Sequence, residues 1–174
     1  MSKMETPVVG FSAASGVGKT TLLSTLLPIL TGQGLCVGLI KHSHHDFEID
    51  KPGKDSYRLR QAGASPVLLI SQYRSAFIAE RRSDTEPTLA EALALFKPQQ
   101  DLDLILVEGF HQATLPKIEL HRAELAQPLR YVNDASIIAV ASDTAITLPE
   151  SLTLLNLNQP DSIAEFICQR FIRI

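Results

Sequence analysis

The sequence predicts an α/β protein with a doubly wound, mostly parallel sheet and some antiparallel edge strands. Apolar segments of strand length alternate along the chain with segments whose apolar residues recur at helical spacing. Most of these strands are apolar along their length, as strands buried on both faces of a parallel sheet are. Hydrophobic residues make up 45% of the 174 residues and charged residues 20%, which is ordinary globular composition. The length predicts a single domain over residues 1–174.

The predicted elements follow one another in the order expected of such a sheet. Strands are predicted at residues 7–13, 36–42, 66–71, 75–80, 103–109, 117–120, 136–143 and 152–157. Helices are predicted at residues 20–30, 55–62, 87–96 and 160–172, and the first and last carry a clear apolar face. The short strand at 117–120 is expected at or near an edge of the sheet, and 75–80 is a second edge candidate.

Composition excludes several classes of function. The formal net charge is −3, so no global positive field attracts nucleic acid or an anionic membrane. Cys36 and Cys168 form no close pair and no metal-ligand spacing, which favours a reducing compartment. The first residues lack the apolar run of a signal peptide, and no stretch approaches the ~20 apolar residues of a membrane span. We therefore expect a cytoplasmic protein that binds neither nucleic acid nor membranes.

The stretch FSAASGVGKTTLL, residues 11–23, is close to a phosphate-binding loop of the form glycine, four residues, glycine, lysine, serine or threonine. Ala13 stands where the first glycine is usual, and a methyl group there fits a strand end without a left-handed backbone. The stretch leaves a predicted strand and enters a predicted helix, so the positive end of the helix faces a bound anion. The alternative is a glycine-containing turn with an accidental lysine. The loop candidates are Ala13, Ala14, Ser15, Gly16, Val17, Gly18, Lys19, Thr20 and Thr21.

Individual roles follow from the chemistry of triphosphates. Lys19 would contact the β and γ phosphates, the Thr20 hydroxyl would hold Mg²⁺, and Thr21 would contact the α-phosphate. Glu108 ends the apolar strand at 103–109, where such folds place an acid that holds Mg²⁺ directly or through water. A strand-terminal surface acid is the alternative for Glu108. Lys19 and Glu108 are thus the candidate catalytic residues, and Thr20 and Glu108 the candidate metal ligands.

A polar, histidine-rich segment, KHSHHDFEIDKPGKDSYRLRQAGA at residues 41–64, follows the second predicted strand. Ligands of doubly wound sheets bind at the carboxyl ends of strands, so we expect this segment beside the crevice that holds Lys19. The spacing of His42, His44, His45 and Asp46 matches no metal motif, and a role other than metal binding is favoured.

Two further sets of charged residues are candidates for nucleotide contacts. Lys41, Lys51 and Lys54 are candidate anion contacts, and solvated surface charge is the alternative for each. Guanine-reading proteins commonly carry Asn-Lys-x-Asp, which this sequence lacks. Asp143, at the end of the strand at 136–143, could accept from the guanine N1–H and 2-amino groups, or bond its own turn.

Four blocks of the sequence together resemble the MobB family, the GTP-binding adapter proteins of molybdopterin-guanine dinucleotide biosynthesis. The blocks are AASGVGKTTLL, GLIKHSHHDFEIDKPGKDSYRLRQAGA, DLILVEGF and IIAVASD. The resemblance runs from about residue 8 to the C-terminus, and the block at 41–64 is far more specific than the phosphate loop. By residue it covers the loop at 13–21, the pair Glu108-Gly109, and Lys41, His42, His45, Asp46, Asp50, Lys51 and Lys54.

The resemblance implies a fold and a function. The fold would be a P-loop NTPase that binds GTP with Mg²⁺ and hydrolyses it slowly. The protein would be a homodimer that works with the guanylyltransferase MobA, which joins GMP to molybdopterin. The adapter would supply GTP, carry molybdopterin or its guanine dinucleotide, or assist insertion of the cofactor into enzymes.

Two other classes of function remain open at the level of sequence. A P-loop kinase acting on a small molecule or nucleotide would use the same cradle, but no arginine-bearing lid pattern is present. Phosphate transfer to added acceptors, compared with phosphate release, separates a kinase from a GTPase. A pure interaction module with an inactive cradle would bind neither GTP nor ATP.

Overall fold

The computed structural model describes residues 6–43, 46–81, 83, 85–96 and 101–172. Within these ranges the strands are β1 Val8–Ala13, β2 Val37–Lys41, β3 Val67–Ile70, β4 Ser75–Ile78, β5 Leu104–Glu108, β6 Lys117–His121, β7 Ile137–Ser142 and β8 Thr153–Asn156. The α-helices are α1 Lys19–Gly32, α2 Asp55–Gln61, α3 Leu89–Ala94 and α4 Pro160–Phe171. Each predicted strand and helix is therefore confirmed, with bounds that shift by a few residues. No helix in the described ranges is long and apolar enough to cross a bilayer.

Six strands form a sheet in the order β2-β5-β1-β6-β7-β8, and every neighbouring pair is parallel. Strands β3 and β4 pair antiparallel in a separate two-stranded sheet. The predicted α/β fold with a mostly parallel sheet is confirmed. Because all six strands run the same way, their carboxyl ends lie along one edge of the sheet.

Helices pack on both faces of the six-stranded sheet, and the central strand β5 is accordingly apolar from Leu104 to Val107. In β5, Leu104 and Leu106 pack into the core that includes α1 and α4, whereas Ile105 and Val107 pack into a second core that includes α3. The face of α1 predicted to be apolar is buried at Leu22, Leu23, Leu26 and Leu30. The doubly wound arrangement follows from this division of alternate side chains between two cores.

The chain divides into two compact units. The larger unit comprises residues 1–42 and 88–174 and contains the six-stranded sheet with α1, α3 and α4. The smaller unit comprises residues 43–87 and contains α2, β3 and β4. A single nucleotide-binding domain over residues 1–174 stays a prediction.

The expectation that 117–120 lies at or near an edge is wrong, because β6 lies between β1 and β7. In this central position its charged residues Lys117 and Glu119 are buried, with exposed fractions of 3% and 2%. The Lys117 ammonium donates to the His111 carbonyl at 2.9 Å and to the Asp134 carboxylate at 2.8 Å. Glu119 accepts hydrogen bonds from the backbone N–H groups of residues 130 and 131. Burial raises the pKa of the Glu119 carboxyl, and these two hydrogen bonds offset part of that rise. Such fully partnered charges are compatible with a central strand.

The ends of β2 and β5 join closely just beyond the two strands. The His42 N–H donates to the Glu108 carbonyl at 2.8 Å, and the His42 ring stacks on Phe110 with centroids 4.4 Å apart. Gly109 makes this approach possible, since its φ is +96° and an added Cβ would lie 2.7 Å from the His42 Cβ. The backbone that carries Glu108 is therefore fixed by a residue that cannot bear a side chain.

Gly109→Ala tests this constraint, with Gly34→Ala as the matched control. Both glycines have a left-handed φ, but a Cβ at Gly34 would meet nothing within 4 Å. We expect Gly34→Ala to lower the free energy of unfolding by about 1–2 kcal/mol from backbone strain alone. Gly109→Ala should cost roughly 1–3 kcal/mol more because His42 is displaced. Urea denaturation measures both; equal losses would show that His42 moves aside without cost.

Candidate functional site

The predicted phosphate loop lies between the end of β1 and the start of α1. Gly18 precedes the helix with φ +100°, and Gly16 has φ +82° with nothing within 4 Å of the position of an added Cβ. Val17, between them, is buried in the core and anchors the loop. The first N–H groups of an α-helix have no acceptor within it, and those of α1 directly follow this loop. Backbone and space thus fit a phosphate group.

Ala13 fits its position without strain. It is the last residue of β1, is 5% exposed, and pairs in register with Leu120 of β6. Its φ is not positive, and its side chain belongs to the core beneath the loop. The prediction that a methyl group is accommodated at this strand end is confirmed. Glycine at this position would remove packed surface and would loosen the strand.

Three charged side chains meet at the carboxyl ends of β2 and β5, next to the loop. The Lys19 Nζ lies 3.6 Å from Glu108 Oε1, and the Lys41 Nζ lies 3.8 Å from Glu108 Oε2. The β2–β5 register sets Lys41 directly beside Glu108. Lys19 and Glu108 are mostly buried, whereas Lys41 is largely exposed. The structure therefore brings together the predicted loop lysine, the predicted acid and one of the predicted anion contacts.

The arrangement also fits a magnesium ion. Thr20 is the second residue of α1 and is exposed, while Glu108 ends a neighbouring strand. A threonine hydroxyl and a carboxylate are the oxygen ligands that Mg²⁺ takes from proteins, with phosphate oxygens and water completing the shell. Among the described residues, no three His, Cys, Asp or Glu side chains form a metal-binding group of their own.

Asp143 lies just beyond β7, at the same edge of the sheet. Its Oδ1 accepts the Ala123 N–H at 3.0 Å, so it bonds the end of the neighbouring strand β6. In the turn that follows β7, the Ser142 Oγ accepts the Thr144 N–H at 3.2 Å. Asp143 is thereby held at a strand end, with lone pairs remaining on both carboxylate oxygens.

Arg122 is a neighbour of the loop that sequence reasoning missed. Its Nε donates to the Val17 carbonyl at 2.8 Å, and its Nη1 lies 3.7 Å from Asp143 Oδ2. The signal available in the sequence was a basic residue two positions after a predicted strand. That strand had been expected at an edge, and only its place beside β1 brings Arg122 to the loop.

The other residues predicted from the segment at 41–64 lie in the smaller unit. Asp46 bonds the Phe47 N–H through Oδ1 at 2.9 Å, and Lys51 and Lys54 are exposed. The predicted histidines His44 and His45 lie outside the described residues. Only Lys41 and His42 of this segment belong to the unit that carries Lys19. A common crevice for the whole segment and Lys19 stays a prediction.

The smaller unit has a cavity of about 620 Å³ of its own. It is lined by residues 46–50, 60–61 and 77–81, with apolar and charged side chains in similar measure. Arg60 crosses it, donating to Glu80 Oε1 at 2.7 Å and pairing with Glu48. Arg60 thus ties the N-terminal stretch of the unit to the residues that follow the strand β4.

Comparison with known proteins agrees with this geometry. Residues 8–143 match the family model for MobB, molybdopterin guanine dinucleotide synthesis protein B. The chain is 44% identical to an Escherichia coli (strain K12) molybdopterin-guanine dinucleotide biosynthesis adapter protein, and the match covers 94% of this chain and 92% of the relative. It is 42% identical over 92% of its length to 87% of the corresponding Haemophilus influenzae adapter protein.

A solved structure shares the fold. The crystal structure of Bacillus subtilis MobB superposes with a TM-score of 0.74 at 25% identity, covering 95% of this chain and 98% of the other. The family match covers β1 with its phosphate loop, β2, β5 with Glu108, and β7 up to Asp143. Sequence, fold and site agree, and the chain belongs to the MobB family.

Proposed function

We propose that this protein is a GTP-binding adapter that hydrolyses GTP slowly and assists a MobA-like guanylyltransferase in attaching GMP to molybdopterin. The observation that carries the proposal is the meeting of Lys19, Glu108 and Lys41 beside a glycine loop, in a chain of the MobB family. Two lysines around one acid suit a site that receives a polyphosphate together with a divalent cation.

The loop residues 13–21 would hold the phosphates through backbone N–H groups, and Lys19 would contact the β and γ phosphates. Thr20 and Glu108 would hold Mg²⁺, which when bound neutralises charge on the phosphate oxygens. The ammonium groups of Lys19 and Lys41 both lie within 4 Å of Glu108. We expect both to contact an anion that binds between them. Slow hydrolysis is consistent with a site organised for holding a nucleotide.

Guanine recognition is assigned to Asp143. A carboxylate can accept from both the N1–H and the 2-amino group of guanine, whereas adenine offers no such donor pair on that edge. The fixed position of Asp143 at the end of β7, two strands from β1, supports this role.

We propose that the segment around Lys51 and Lys54 serves the adapter role, in which the protein assists the guanylyltransferase. Both lysines are exposed and lie just before α2 in the smaller unit, whereas the loop lysine, Lys19, belongs to the larger unit. Exposed cations suit an anionic ligand such as molybdopterin or its guanine dinucleotide, or the guanylyltransferase itself. Asp46 completes the contact set proposed for the smaller unit, whereas His42 is proposed as a nucleotide contact beside Glu108 in the larger unit. We place the protein in the cytoplasm.

A homodimer is proposed from the exposed face of the hairpin β3–β4. Leu68 and Phe77 are cross-strand partners, and with Ile70 they point to the same side of the two strands. Their exposed fractions are 61%, 63% and 77%. A two-stranded sheet is marginal by itself, and an apolar face of this kind is stabilised when a second copy covers it.

Lys19→Ala should weaken GTP binding in the presence of Mg²⁺ by about 100-fold, because a charge-assisted contact to the phosphates is lost. Isothermal titration calorimetry with GTP and ATP measures the effect, and circular dichroism checks that the fold is retained. Arg170→Ala removes an exposed cation near the end of α4 and should leave the affinity unchanged. Unchanged affinity in Lys19→Ala would refute the cradle, and a wild-type protein that binds neither nucleotide would refute nucleotide binding altogether.

Replacement of both Lys51 and Lys54 by alanine should separate nucleotide binding from the adapter role. We expect guanylylation of molybdopterin with the partner enzyme to fall roughly tenfold while GTP affinity stays within about twofold. The rate of guanine dinucleotide formation and the Kd for GTP are measured on the same preparations. Equal losses, or no loss in either, would remove the segment as a separate functional surface.

Leu68→Asp should convert the dimer to a monomer, because a carboxylate cannot be buried in an apolar interface without a partner. The expected masses in solution are twice 19.0 kDa for the wild type and 19.0 kDa for the variant, measured by light scattering after gel filtration. Leu95→Asp changes an exposed leucine of α3's end and serves as the control. A monomeric wild type, or a dimeric Leu68→Asp, would contradict the proposal.

A further inference from the structure

Arg122 forms a bridge between two parts of the sheet edge that have separate proposed roles. On one side its Nε donates to the carbonyl of Val17, within the phosphate loop, at 2.8 Å. On the other side its Nη1 lies 3.7 Å from Asp143 Oδ2. A Cβ at Gly18 would be only 3.6 Å from the Arg122 Nη2, so the guanidinium lies directly against the loop.

The next residue strengthens the bridge. The Ala123 N–H donates to the other oxygen of Asp143, Oδ1, at 3.0 Å. At the end of β6, Ala123 thus donates a hydrogen bond to Asp143 Oδ1, and Arg122 lies within ion-pair distance of Asp143 Oδ2. Arg122 and Asp143 are 31% and 17% exposed, so the pair is partly shielded from solvent. Each oxygen keeps a lone pair for a further donor.

The guanidinium suits this place for a physical reason. It is a planar fork whose Nε–H and Nη–H groups point in fixed directions, so one side chain can hold a carbonyl and a carboxylate in a set relative position. A lysine ammonium can replace the charge but not the two fixed directions. The phosphate loop and Asp143 are therefore not independent in this structure.

We propose that Arg122 is a positioning residue that couples the phosphate loop to Asp143 and so sets the preference for GTP over ATP. This inference rests on the proposed function, since it requires a nucleotide whose phosphates occupy the loop and whose base meets Asp143. A guanine base that donates hydrogen bonds to Asp143 then binds a carboxylate whose position relative to the loop is already fixed. A base-free polyphosphate or an adenine nucleotide gains little from the alignment.

The test compares three probes, GTP, ATP and inorganic tripolyphosphate, each with Mg²⁺, on five proteins and a control. The proteins are the wild type, Arg122→Ala, Arg122→Lys, Asp143→Asn and the double variant Arg122→Ala with Asp143→Asn. Arg170→Ala, which removes an exposed arginine near the end of α4, is the control. Calorimetry gives the Kd values, and thermal unfolding checks that each variant is folded.

Arg122→Ala should weaken GTP binding by about tenfold. ATP and tripolyphosphate should weaken by only roughly twofold, because the loop loses one tether and no phosphate contact. Arg122→Lys should fall between Arg122→Ala and the wild type in the ratio of GTP to ATP affinity. In the Asp143→Asn background, removal of Arg122 should change that ratio little further, since two coupled residues are not additive.

Several results would overturn the inference while leaving nucleotide binding intact. They are an unchanged ratio of GTP to ATP affinity in Arg122→Ala, equal weakening for all three probes, or full additivity in the double variant. A ratio in Arg122→Lys equal to that of the wild type would also overturn it, because charge alone would then suffice. A wild type that binds none of the probes would instead refute the proposed function, and the coupling with it.

Discussion

The parallel pairing of β1 with β5 on one side and β6 on the other is the constraint on which the site depends. It sets the end of β1, where the loop begins, between the acid that ends β5 and the arginine that follows β6. Because β2 and β7 extend the same parallel sheet, Lys41 and Asp143 arrive at the same edge. Residues spread over more than a hundred positions thus converge without any long-range contact being specified in the local sequence.

The sequence predicted what depends on local pattern. Strand and helix positions followed from apolar periodicity, and the loop followed from Gly18, Lys19 and Thr20 in their strand-to-helix context. Glu108 followed from its place at the end of an apolar strand. These features require only neighbours in the chain, or the general rule that functional residues gather at the carboxyl ends of parallel strands.

What the sequence did not predict depends on partners far away in the chain. The strand β6 was predicted at or near an edge because it is short, yet it is central, and its Lys117 is paired with Asp134, 17 residues on. Glu119 is satisfied by backbone groups at 130 and 131. Arg122 could not be connected to Val17, 105 residues earlier, until the place of β6 beside β1 was known. Whether a charged residue can be buried depends on the partners that the fold places around it, and the residue type alone does not reveal them.

The division of the chain at residues 43 and 87 has a consequence for how such a protein changes over evolutionary time. The six-stranded sheet takes its strands from outside this stretch, and the strands described within it pair only with each other. Substitutions there leave the registers that align Lys19, Glu108 and Asp143 untouched. The pairing of the six-stranded sheet therefore places no constraint on residues 43–87, and this stretch can accept changes of sequence and length that the sheet strands would not tolerate.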